Sequence, residues 1–198
     1  MRNTIQGGRR RLPLASLASL VMAAGMMHFC GGDLEGSRVL FDRALSIDSE
    51  NEPARLMRCL IDWKSGRGLQ SAHLRQLLEL DWHSADELFG YLGRMLAGTV
   101  ALQPALDAWG NPSEKGWIFY VAGLRLMPSE PDRAAGLFRE AALAADSLEW
   151  LLYLALSELD RMPPAPGSGF TAPSEFRRTL RQASAAREER LKTIAPLA

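Results

Sequence analysis

Charge of one sign, cysteine, histidine and long hydrophobic runs are all scarce in this sequence. Lys and Arg number 23 against 23 Asp and Glu in 198 residues. The chain therefore has no net field to draw it to nucleic acid or anionic lipid. Two cysteines cannot make the dense disulfide framework of a small secreted scaffold. Of the three histidines, His28, His73 and His83, none has a second His or a Cys three to five residues away, so no metal site is expected. Gly66-Arg67-Gly68 lacks the third glycine and the preceding strand of a dinucleotide loop, and neither G-x-x-x-x-G-K-[ST] nor G-x-S-x-G occurs. No cofactor is expected. Five tryptophans stand without an interleaved Lys/Arg stripe, which argues against a nucleic-acid stacking platform.

What is present suits a globular chain. Apolar residues make up 47% and charged residues 23%, enough to build the core of one domain or at most two small ones. From Gly25 onward, short Gly, Ser and Pro breaks separate stretches of helical periodicity, with no period-two strand and no Asn-Gly hairpin. The predicted class is all-α.

The ends differ from the middle. Residues 1–14 are basic, with Arg2, Arg9, Arg10 and Arg11, and an apolar run follows from Leu12 to Met27. That run reads first as a buried helix. The alternative is a signal peptide cleaved near Ala23, or an anchor that is retained, which would make the protein periplasmic or membrane-anchored rather than cytoplasmic. Residues 163–173 read PPAPGSGFTAP and must form a linker. Ser174 then caps a predicted amphipathic helix over 174–198 with a mostly basic outer face, either a solvated packing helix or one meeting a membrane surface or acidic partner.

Between them, over residues 15–162, runs a step of 34. Gly32 is followed by Gly66, Ser37 by Ser71, and Gly25 by Cys59 and then Gly93. Gly32-Asp33-Leu34 opens a helix carrying Ser37, Phe41 and Ala44. Phe89, Leu92-Gly93 and Leu96 form a first-helix pattern that recurs at Phe119, Ala122-Gly123 and Leu126. Ala135, Ala142 and Leu143 repeat Ser37, Ala44 and Leu45 at a common spacing of 98, with Phe138 one place earlier than the aromatic would be. Gly110-Asn111-Pro112 should cut the second helix of the third unit short, after Ala105 and Trp109. Ser84 with Glu87 forms a capping box, and Pro131 with Asp132 suits a first helical turn. A last helix is expected from Leu148 to about Met162.

On these residues the chain resembles the tetratricopeptide repeat family, with degenerate repeats. The resemblance implies antiparallel helix pairs stacked in a right-handed superhelical array with a concave inner face. It further implies that a ligand lies against inner positions of the first helices. These map to Met22, Met26 and Phe29, then Leu56, Leu60 and Trp63, then Glu87, Gly90 and Arg94, and finally Trp117, Tyr120, Leu124 and Met127. The partner-binding candidates among them are Leu56, Leu60, Trp63, Arg94, Trp117, Tyr120, Leu124 and Met127.

The set is mostly apolar and lacks the basic and amide residues that clamp a terminal carboxylate in some family members. It suits an apolar helix or extended segment of a protein partner, with Trp63, Trp117 and Tyr120 as anchors. The competing reading makes the same residues core between units. The expected function is thus a non-enzymatic adaptor, scaffold or chaperone. The alternatives are an exported or anchored assembly scaffold and the regulatory domain of an enzyme. Asp81, His83 and Asp86 offer the one conceivable acid–base group, in what reads as an exposed turn. Cys30 and Cys59 read as buried reduced thiols, with a disulfide as the alternative in an exported chain.

Overall fold

A computed structural model describes residues 14–79, 87–145 and 150–162. The basic tail, the proline-rich linker, the basic C-terminal helix, Ser84 of the capping box and the Asp81/His83/Asp86 group lie outside these. Helices α1 (Leu14–Gly31), α2 (Leu34–Ile47), α3 (Glu52–Lys64), α4 (Ala72–Leu78), α5 (Glu87–Ala97), α6 (Leu102–Ala108), α7 (Pro112–Leu126), α8 (Pro131–Ala144) and α9 (Trp150–Arg161) make an all-α chain. Among the described residues the only other regular element is a 3₁₀ turn over Gly68–Gln70.

Local chemistry sets the boundaries. Side chains of Asp33, Asn51, Ser71 and Asn111 accept backbone N–H bonds at the starts of α2, α3, α4 and α7. Prolines occupy the first turns of α3, α7 and α8, where no intrahelical donor is lost. Gly32, Gly66 and Gly98 have φ of +86°, +76° and +82°, and each sits in the turn that closes an odd-numbered helix. The 34-residue step from Gly32 to Gly66 therefore repeats a left-handed backbone that favours glycine.

Two helix pairs interlock in the same way. A Cβ built on Gly25 of α1 would stand 3.0 Å from the Phe41 ring of α2, and one on Gly123 of α7 would stand 2.7 Å from the Phe138 ring of α8. The missing side chain lets the ring seat against the facing backbone. Ser37 Oγ donates to the Gly25 carbonyl at 2.9 Å, tying the first pair further. The third unit departs from this plan. Gly93 of α5 faces Leu77 of α4, the preceding unit, and α6 packs on α7. The early stop at Gly110-Asn111-Pro112 leaves α6 only seven residues, too short to run along α5. Trp109, just past α6, instead meets Tyr91 of α5 edge-on, with ring centroids 6.2 Å apart.

The last helix joins the two ends of the described chain. α9 packs on α8 and α7 and also reaches α1. Arg161 Nη2 donates to the carbonyls of Phe29 and Cys30 at 3.0 and 2.6 Å, serving the C-terminal end of α1. With α9 beside α1, the inner positions of the odd-numbered helices meet one another. Phe29, Leu56, Leu60, Tyr120 and Leu124 are completely buried there.

Candidate functional site

One cavity of about 430 Å³ receives residues from all five odd-numbered helices. Met22 and Met26 of α1, Leu56 of α3 and Trp117 of α7 were expected on the inner face, and here they share one wall system. Pro53, Met57, Phe89, Trp150 and Leu151 complete the apolar part, and Ser113 supplies the hydroxyl near the start of α7. The size lies within the usual range of ligand pockets, about 300–1,000 Å³. Side chains of this kind favour apolar matter, and the methionines can repack around differing shapes. No charged side chain lines it.

A charged cluster stands toward the C-terminal ends of α3 and α9. Lys64 Nζ donates to both oxygens of Glu158, at 2.5 and 2.6 Å, and lies 5.3 Å from the centroid of the Phe29 ring. Arg161 Nη1 reaches Glu158 Oε1 at 3.2 Å, and the Tyr120 hydroxyl donates to the same oxygen at 3.4 Å. Glu158 is 1% exposed. Burial holds the Lys64 ammonium below its ordinary pKa, opposed by the attraction of Glu158. Burial likewise drives the Tyr120 phenol well above its usual value, and the Glu158 charge adds to this. Such a cluster cross-links α3, α7 and α9, its polar atoms engaged with one another.

The eight partner-binding candidates thus part company. Leu56 and Trp117 line the cavity. Leu60, Tyr120 and Leu124 do not line an open groove: they are buried in the core, because α9 returns to α1 and the inner faces close on each other. Trp63 also lies elsewhere, its ring against Gly68 in the turn after α3, where a Cβ would stand within 2.3 Å. Arg94 sits in the last turn of α5 and Met127 just past α7, both half-buried and neither in the cavity. Phe89 and Trp150 were missed as wall residues. Trp150 lies on a helix that the repeat register treats as an appendage, and Phe89 occupies a position that the register assigns to packing.

No family model matches the chain, nor does any curated protein or solved structure. Its site is therefore read from its own residues. Cys30 and Cys59 are buried free thiols, and burial pushes both up to about 12. Thiols so raised are poor nucleophiles at neutral pH. Among the described residues, no group of three or more His, Cys, Asp and Glu stands together as a metal site. No helix among them is long and apolar enough to cross a membrane.

Proposed function

We propose that this chain is a non-enzymatic protein-interaction module of tetratricopeptide-like helix pairs, which takes up an apolar helix or extended segment of a partner protein. The observation that carries the reading is the cavity to which all five odd-numbered helices contribute. Four of its wall residues, Met22, Met26, Leu56 and Trp117, come from the face that the repeat register assigns to binding. Support for the repeat itself is the shared Gly25–Phe41 and Gly123–Phe138 interlock. An anchor side chain of the partner would enter between Trp117 and Met22, which are half-buried and so bridge core and solvent. A cytoplasmic location belongs to the same proposal.

Native co-purification on a C-terminal tag tests it. A stoichiometric protein partner should be captured by the parent chain and weakened by about 2 kcal/mol or more in Trp117→Ala, the usual size of a hot-spot loss. Helicity should not change. Undiminished capture by Trp117→Ala and Met22→Glu would remove the cavity from the interface. Fractionation of the same cells tests location, since a membrane-bound or exported chain contradicts the cytoplasmic assignment.

A further inference from the structure

A second cavity, of about 300 Å³, lies between the turn after α5 and the turn after α7. Its walls are of two kinds. Met95, Val100, Leu102, Ala122 and Leu126 supply its apolar side, whereas Arg125, Ser129 and Arg133 bring polar groups to it. The two arginines are not equivalent. Arg133 is paired with Glu130 at 3.1 Å. Arg125 makes no hydrogen bond or ion pair among the described residues. Its guanidinium is nevertheless positioned, with Nη2 3.0 Å from where a Cβ on Gly98 would stand. Gly98 has φ +82°, so the turn both favours glycine and leaves room for the fork.

We propose that this cavity binds a small amphipathic monoanion, a single carboxylate on an apolar body. Glu130 pairs with Arg133, which leaves Arg125 as the unpaired cation of a recess whose lining is part polar and part apolar. One positive charge calls for one negative charge, and a planar fork suits a carboxylate through two parallel N–H···O bonds. The volume is at the lower end of small-ligand sites, which limits the body to a short chain or single ring. The site is separate from the cavity between the odd-numbered helices and stands or falls independently of the partner-binding reading.

Calorimetric titration of the full chain with octanoate, octanol, octylamine and acetate tests the proposal. Octanoate should bind saturably and more weakly as salt rises, because the cation is exposed. Octanol, octylamine and acetate should each bind at least tenfold more weakly, since each lacks either the charge or the body. Arg125→Gln should lower octanoate affinity at least tenfold with the melting temperature of the free protein unchanged. Val100→Asp, which adds a carboxylate to the lining, should have the same effect by repulsion. Absence of saturable octanoate binding, equal binding of octanol or octylamine, or octanoate affinity unaltered in Arg125→Gln would each overturn the assignment.

Discussion

At the scale of the residue, the interior is defined by small side chains under large ones and by two thiols that resist ionisation. Gly25 and Gly123 leave the space that Phe41 and Phe138 fill. Gly123→Leu should therefore destabilise by at least the 1–3 kcal/mol typical of overpacking, and Phe41→Ala by about 3–5 kcal/mol through the cavity it leaves. Urea denaturation measures both.

The thiols set an alkaline limit. Unfolded, Cys30 and Cys59 ionise near 9.0; folded, burial holds both near 12. Below pH 9 neither form is ionised and the full stability is kept. Between pH 9 and 12 the unfolded chain gives up protons that the folded chain retains, so stability falls, by up to about 4 kcal/mol per thiol at about 1.4 kcal/mol for each unit. A Cys30→Ala chain should lose less stability between pH 8 and 10.5 than the parent, as followed by thermal melts. Gly25, Phe41 and Ser37 were legible in the sequence because close helix approach demands a small residue and an aromatic at set intervals. The fates of Leu60, Tyr120 and Leu124 were not. An apolar side chain on an inner face reads the same whether it meets solvent, a partner or another helix of its own chain.

At the scale of the element, boundaries obey short-range chemistry and were largely readable. Asn111 Oδ1 accepts from the Ser113 N–H at 2.9 Å while Pro112 begins α7, so one tripeptide ends α6 and starts the next helix. Asn111→Ala should cost about 1 kcal/mol, the usual value of a lost N-cap. Differential scanning calorimetry would show it as a lowered melting temperature with little change in helical signal. The same tripeptide accounts for what the repeat period misjudged. A second helix of seven residues cannot lie along α5, and Gly93 then seats against α4 instead.

At the scale of the whole molecule, the deciding contacts are remote in sequence. Lys64 and Glu158 are 94 residues apart, and no local spacing announces their pairing. A Glu158→Leu chain would strand the Lys64 ammonium in a mostly buried site, and a loss of about 3–5 kcal/mol is expected. The double replacement Lys64→Met with Glu158→Leu should restore much of it, because the cost lies in the unpaired charge rather than in the absence of the pair. Chemical denaturation of the parent, Glu158→Leu, Lys64→Met and the double variant forms the cycle. The same remoteness explains why the cavity wall was half legible: Met22, Leu56 and Trp117 follow from the register, whereas Trp150 arrives only when α9 docks.

The bonds from Arg161 to the carbonyls of Phe29 and Cys30, spanning 132 and 131 residues, also bear on synthesis. A chain made from its N-terminus can fold α1 onto α2 while still attached to the ribosome, yet the inner side of α1 stays uncovered until the segment ending at Arg161 emerges. Local helix pairs form quickly, whereas closure across the whole described chain waits on the slowest loop to be joined. The nascent chain thus carries an adhesive apolar flank from the emergence of α1 until that of Arg161, and its yield in the cell should depend on holdase supply more than its final stability would suggest.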